Sequence, residues 1–237
     1  MTGKQRWNIS SNLIEYTPKR ITIDDFLITS GAQKLHVDGT LAGGKDDTLR
    51  LALDEFSIRP LNSIAGLPEG TVRGSLDGSA TLISGMKDPI LIADIMMDSL
   101  SMNGYTAPRL RLNSAWDFAT ERAGLSLVNT ADGKTLVRGF YRPDTNSYAA
   151  TVDIDGIPLA AANPFLPADV IHSVEGTTAL YLELRGSKGM PKMNGTLSVS
   201  DFSTTIGITD VTYSTPTLDI DIDGGTVRLP LTTLTDG

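Results

Sequence analysis

Two short stretches contain residues at spacings that could support enzyme chemistry. The segment 39–45 nearly forms the glycine-rich loop that wraps phosphate groups, but Asp46 stands where a Ser or Thr must reach the metal ion. Ser84 and Lys87 have the Ser-x-x-Lys spacing of acylating enzymes, which places both side chains one turn apart on a helix. A glycine and a proline interrupt that helix here, so neither motif predicts an active site.

Metal-binding and nucleophilic sites are equally unsupported. The segment 219–224 matches the first half of a calcium loop, but its twelfth position, normally a bidentate Glu, is Pro230. His36 and His172 lie far apart and form no catalytic or zinc-binding pattern. The absence of cysteine excludes disulfides and thiolate metal sites. We therefore predict a protein that is not an enzyme and has no cofactor or metal site.

Composition narrows the range of binding partners. The 237 residues carry a formal net charge of −8, and no basic cluster is present. This composition argues against nucleic acid as a partner, because that interaction depends on Lys and Arg neutralising phosphates. The acidic balance also argues against docking on anionic lipid head groups. Hydrophobic residues make up 40% of the chain but aromatics only 6%, so the apolar content is aliphatic.

Apolar residues alternate with polar ones at a period of two along much of the chain, which is typical of strands with one apolar and one polar face. One such run contains Leu110, Leu112 and Trp116, and Phe118 continues its alternation. Val227, Leu229 and Leu231 form another run. We predict an all-β, elongated, curled antiparallel sheet, an open trough with a hydrophobic inner face. The candidate lining residues are Leu110, Leu112, Trp116, Leu180, Leu182, Leu184, Leu218, Ile220 and Ile222.

Turn signals separate these runs and helical spacing is rare. Gly-containing turns are predicted at 38–39, 132–133 and 223–225. The best helix candidates, 61–65 and 159–163, each follow a proline, which suits the first position of a helix. We interpret both as single turns.

A spacing recurs along the chain and predicts an internal repeat. The interval from Pro60 to Gly78 is the same as that from Pro158 to Gly176. We predict repeats in 1–139 and 140–237, with core units at 60–93 and 158–197. Chance recurrence among Gly- and Pro-rich turns remains the alternative.

One segment carries a resemblance to a known family. Leu182-Glu-Leu-Arg-Gly186, followed by Met190-Pro-Lys-Met-Asn-Gly-Thr-Leu197, resembles the recurring L-x-G…P-x-L-N-G-x-L pattern of the TamB family. The segment 82–89 is a weaker copy. Members of this family are inner-membrane-anchored, AsmA-like subunits of the translocation and assembly module.

The resemblance implies a fold, a place and a function. The fold is a β-taco, a trough-shaped sheet, and residues 1–237 would be an excised fragment of a longer repetitive protein. That protein would lie in the periplasm of a Gram-negative bacterium, anchored in the inner membrane by a segment outside this sequence. The trough would shield phospholipid acyl chains during transport between the membranes, or assist outer-membrane protein assembly with a BamA/TamA-type β-barrel partner.

A different fold would explain the same alternation. In a closed β-sandwich, the apolar faces of two sheets pack against each other and stay dry. Such a module would be structural or adhesive and would carry no cargo. Co-purified lipid distinguishes the two hypotheses.

Overall fold

The structure, a computed structural model, describes residues 6–44, 47–64, 66–68, 70–83, 90–167, 169–187 and 191–236. Strands account for 70% of it and form a single open antiparallel sheet of 17 strands, which confirms the all-β prediction. The strands are β1 (Asn8–Ser10), β2 (Leu13–Thr17), β3 (Arg20–Ser30), β4 (Gln33–Leu41), β5 (Thr48–Ser57), β6 (Val72–Ile83), β7 (Ile90–Met102), β8 (Tyr105–Thr106), β9 (Leu110–Asp117), β10 (Arg122–Asn129), β11 (Thr135–Arg142), β12 (Ser147–Pro158), β13 (Ile171–Ser187), β14 (Lys192–Ile206), β15 (Val211–Asp223), β16 (Thr226–Arg228) and β17 (Thr235–Asp236).

The sheet is a meander, in which each strand pairs with a strand next to it, or next but one, in sequence. One edge is shared by β1 and β2, which both pair with β3. The other edge is shared by β16 and β17, which both pair with β15. The described residues therefore form one sheet, and not the two packed sheets that the sandwich alternative requires.

Two observations show that this sheet is curled. Cα atoms of β7 and β10 approach within 8 Å although β9 pairs with both, whereas two strand spacings in a flat sheet amount to about 9.6 Å. The side chain of Asn103, in the turn after β7, donates a hydrogen bond of 2.5 Å to the carbonyl of Ala160, which lies beyond β12. Strands β9, β10 and β11 lie between these two residues, so the bond draws the rim of the sheet inward.

Acidic residues in left-handed conformation create the bulges in two strands. Asp25 (φ 50°) shifts the register of β3 against β4, and Glu55 (φ 45°) shifts that of β5 against β6. The amide of Asp25 donates to the carboxylate of Asp38, at 3.3 Å, and that of Glu55 to the carboxylate of Asp77, at 2.7 Å. Each bulge inserts an extra residue and bends its strand.

The turn predicted at 38–39 is wrong, because both residues lie inside β4. Gly39 has φ 125°, and an added Cβ would lie 2.1 Å from the carbonyl oxygen of Thr48. The glycine therefore permits close approach of the neighbouring backbone, which is a second common use of a strand glycine. The turns predicted at 132–133 and 223–225 do connect strands, although Asp223 is still the last residue of β15.

Short helices occur at both predicted positions, as α1 (Arg59–Ile64) and a 3₁₀ helix (Leu159–Phe165). Both are longer than the predicted single turn, and α1 begins at Arg59, before Pro60. Both leave the same rim of the sheet, and an asparagine from each binds the strand that follows. Asn62 accepts a hydrogen bond from the amide of Val72, and Asn163 accepts one from the amide of Val174, both at 2.9 Å. These side chains fix where β6 and β13 depart from their helices.

A bulged glycine follows each of these valines by two residues. Gly74 (φ 142°) and Gly176 (φ 126°) both lie where the strand register shifts. The glycine equivalent to Gly176 by local geometry is therefore Gly74, whereas the sequence spacing paired it with Gly78. The internal repeat itself stays a prediction.

Candidate functional site: an open apolar face

A single row of aliphatic side chains and glycines crosses the sheet from edge to edge. Directly opposed residues in neighbouring antiparallel strands point to the same side of a sheet, so the row defines one face, here called the inner face. This central row consists of Ile9, Ile28, Leu35, Leu53, Gly78, Ile95, Leu112, Leu127, Val137, Val152, Leu182, Gly195, Ile222 and Val227.

Six of the nine candidate lining residues come together around β14. Leu182 and Ile222 lie in the central row on either side of Gly195. Leu180 and Ile220 flank Leu197 in the next row, Leu218 is opposed to Val199, and Leu184 is opposed to Met193. The strand order thus gathers residues that are far apart in sequence.

The other three candidates lie on β9, separated from β13 by three strands. Leu112 belongs to the central row, where it is opposed to Ile95 and Leu127. Leu110 and Trp116 share its side of β9 because they differ from it by an even number of residues. All nine candidates therefore lie on the inner face, in two groups.

The inner face is only partly covered. In the described part of the chain ten apolar residues are buried, and no large side chain falls below 2% exposure. Of the nine candidates only Leu110 is buried, at 8% exposure, and the others keep partial access to solvent. A second layer packed on this face would bury most of them. Whether the nine side chains line a trough for cargo stays a prediction.

Several inner-face residues escaped the sequence-based prediction. Leu127, Val137 and Leu197 occupy the same rows as the candidates. Val137 lies on the inner face, but its neighbour Leu136 is also apolar, and so is Phe140 on the outer face. Apolar and polar residues therefore do not alternate clearly in this strand. A search for any aliphatic residue at the strand centre would have found it.

Two predicted alternations extend beyond the strands that carry them. Phe118 lies in the turn after β9 and is 86% exposed, because the carboxylate of Asp117 accepts hydrogen bonds from the amides of Ala119 and Thr120 and ends the strand. Leu229 and Leu231 lie outside β16 and are exposed. Pro230, between them, has no amide hydrogen to donate to the sheet.

The opposite, outer face is polar and carries exposed ion pairs. Arg111 binds Asp94 through two hydrogen bonds, at 2.8 and 2.6 Å. Lys134 contacts Asp153 at 3.0 Å and Asp155 at 2.8 Å. The hydrogen bond from Arg111 lowers the pKa of Asp94, and the bonds to Asp155 and Asp153 raise the pKa of Lys134. These ion pairs keep the outer face polar, and they do not form a reactive centre.

Two of the motifs with possible chemistry, the calcium-like segment and His36, lie among the described residues. The calcium-like segment forms the end of β15, with alternate aspartates on one side of a strand instead of converging on an ion. His36 pairs with Asp25 at 2.9 Å on a partly exposed surface. The pair Ser84 and Lys87 and the residues at 45–46 lie outside the described residues. The described residues contain no group of three His, Cys, Asp or Glu that could hold a metal ion.

A membrane-spanning helix is not found among the described residues either: none of their helices is sufficiently long and apolar. Comparisons of the chain with protein-family models, with curated proteins and with solved structures gave no match. Functional inference therefore rests on the geometry of the sheet.

Proposed function

We propose that this chain is part of a hydrophobic conduit or chaperone of the Gram-negative envelope, similar to the TamB family. The observation that carries the proposal is the central row, which is apolar across the whole sheet and over which the described residues form no second layer. On water-soluble proteins, contiguous exposed apolar patches larger than a few hundred Å² usually mark a binding surface.

An acyl chain suits this face physically. Each Å² of apolar surface removed from water contributes roughly 25 cal/mol, and a flexible chain can follow a curved row without specific polar contacts. Six residues of a strand span about 20 Å, and strands β9 to β15 are all longer than this, so the face is wide enough for one or two acyl chains side by side. The aliphatic and nearly non-aromatic composition of the row favours lipid over a sugar or nucleotide ligand.

The proposal extends to partners and place. The cargo is a phospholipid acyl chain moving between the inner and outer membranes, or an outer-membrane protein during its assembly. The full-length protein acts in the periplasm, anchored in the inner membrane, and meets a BamA/TamA-type β-barrel partner. It performs no catalysis, and binding alone is its contribution.

Site-specific photo-crosslinking tests the proposal. A photoreactive amino acid replaces Leu182 or Ile220 on the inner face, and Glu183 or Asp221 on the outer face serves as the matched control one residue away. We expect crosslinks to phospholipid at the two inner positions and none at the two outer ones, as measured by mass spectrometry after expression in a Gram-negative periplasm. Equal labelling of the two faces, or no lipid at either inner position, would contradict it.

Lipid extraction of the purified chain gives a second test. We expect phospholipid to co-purify with the wild type and to be reduced in Leu182→Asp, which puts a charge into the central row. Glu183→Gln, on the outer face, should retain the wild-type amount. A wild type without lipid would favour a purely structural module.

A further inference from the structure

A depression on the outer face of β9 to β13 lies away from the apolar face and has a different chemical character. It has a volume of 710 Å³. Its floor is formed by one cross-strand row in which Ala115, Gly124 and Ala149 leave space around the larger Phe140. Small side chains on both sides of one aromatic ring thus create a concave surface in the middle of the sheet.

Three arginines surround this floor, although the chain as a whole is acidic. The guanidinium of Arg122 lies 5.1 Å from the centre of the Phe140 ring. Its distance to the carboxylate of Asp117 is 4.0 Å, which is long for an ion pair. Arg185 is 75% exposed in its side chain and makes a loose contact of 3.4 Å with Glu183. Arg138 forms no ion pair with any described residue.

The carboxylates that contact Arg122 and Arg185 also accept hydrogen bonds from other groups. Asp117 accepts hydrogen bonds from the amides of its own turn and from the hydroxyl of Thr120, at 2.6 Å. Glu183 accepts the hydroxyl of Tyr181, at 2.9 Å, besides its contact with Arg185. The positive charge of the depression is therefore only partly compensated.

Neutral donors complete the lining. The row beside Phe140 places Asn113, Ser126 and Thr151 on the same face as Arg138. Hydroxyl and amide groups can donate hydrogen bonds to an oxyanion that guanidinium groups neutralise. Phe140 offers an apolar surface to the uncharged part of the same ligand.

We propose that this depression, the arginine depression, binds the phosphoryl group of a phosphate ester. Guanidinium groups match the geometry of phosphate oxygens through paired N–H donors. The depression is larger than a phosphate group, which leaves room for the organic part of an ester. The site lies on the opposite face from the central row and does not depend on the proposed conduit function.

Binding measurements with two phosphate sources test the proposal. sn-Glycerol 3-phosphate is titrated by NMR against the wild type and Arg138→Gln, with glycerol as the uncharged control. Phosphatidylcholine vesicles with and without phosphatidic acid are tested by co-flotation. We expect Arg138→Gln to weaken binding about tenfold, which is the scale of one charge-assisted hydrogen bond.

Arg228→Gln is the matched control, since Arg228 is an exposed arginine of the edge strand β16, paired with Asp223 at 3.5 Å. Its binding should equal that of the wild type. Binding of glycerol phosphate identifies a soluble ester as ligand, and binding only to vesicles with phosphatidic acid identifies a lipid head group. Equal loss in the two variants, or no binding to either source, overturns the proposal.

These experiments test phosphate-ester binding independently of the proposed conduit function. Arg138→Gln should leave the phospholipid crosslink at Leu182 unchanged, because the substitution lies on the other face. Circular dichroism of both arginine variants should match the wild type, because both side chains are exposed.

Discussion

The inner and outer faces belong to the same strands, yet different forces stabilise them. On the inner face, aliphatic residues oppose one another from strand to strand, and glycines appear where two backbones come close, as at Gly78 and Gly195. On the outer face, exposed pairs such as Arg111 with Asp94 predominate. Exposed ion pairs contribute little to stability, so the sheet depends on its inner face, and the outer face is free to carry recognition.

Alanine substitution of one glycine on each face should give the largest difference between the faces in the free energy of unfolding. In Gly195→Ala the new Cβ would lie 2.1 Å from the carbonyl oxygen of Tyr181, so neighbouring backbone must shift. We expect a loss of about 3 kcal/mol or more in the free energy of unfolding. In Gly124→Ala, on the outer face, the nearest atom lies 3.8 Å away, and we expect a change of less than about 1 kcal/mol. Urea denaturation followed by circular dichroism measures both, and equal losses would remove the distinction.

A large-to-small substitution at a buried inner residue should have the next largest effect. Leu53 is 4% exposed, so Leu53→Ala should cost about 2–5 kcal/mol through lost burial and the cavity left behind. Arg50→Gln, on the other side of β5, should stay within about 0.5 kcal/mol. Chemical denaturation of the two variants side by side provides the measurement, and a costly Arg50→Gln would show that the outer face also supports the fold.

The same substitution at a partly exposed inner residue tests whether the face is open. Leu182 retains solvent access, so Leu182→Ala should cost about 1 kcal/mol, less than Leu53→Ala, because less apolar surface is lost from burial. The comparison uses lipid-free protein, so that bound cargo adds nothing to stability. A cost as large as that of Leu53→Ala would mean that Leu182 is covered as fully as Leu53 and is not open to solvent.

An acid titration of an outer ion pair should give the smallest effect. The pKa of Asp94 is lowered from 3.8 by its hydrogen bonds with Arg111. The pair therefore stabilises the fold above the ordinary carboxyl pKa and loses this contribution as the pH falls through the lowered value. Asp94→Asn should lower the melting temperature slightly at neutral pH, and the difference from wild type should vanish in acid. Melting curves of both proteins across this pH range provide the measurement. A difference in melting temperature that persists in acid would show that the ion pair is not its cause.

Period-two alternation predicted the fold class and one common face for the nine lining residues, because side-chain direction in a strand follows from parity alone. Which of these residues become neighbours could not be predicted in the same way. Register depends on bulges such as those at Asp25 and Glu55, where one left-handed residue shifts every later pairing. The dipeptide Asp38-Gly39 is typical of hairpin turns but here supports such a bulge.

The arginine depression was missed for a related reason. Arg122, Arg138 and Arg185 belong to three different strands and form no cluster in the sequence. Only the pairing of β9 to β13 places them around Phe140. The net charge of −8 is a sum over the whole chain, so it does not show that positive charges gather in one part of the sheet.

The meander has a consequence for how the chain folds. Since every strand pairs with one close to it in sequence, each hairpin can form with a short loop closure and extend the sheet one strand at a time. Opening should be easiest at the two edges of the sheet, where β1, β2, β16 and β17 are each paired on one side only. Native-state hydrogen exchange is then expected to be fastest at these two ends and slowest in the middle strands.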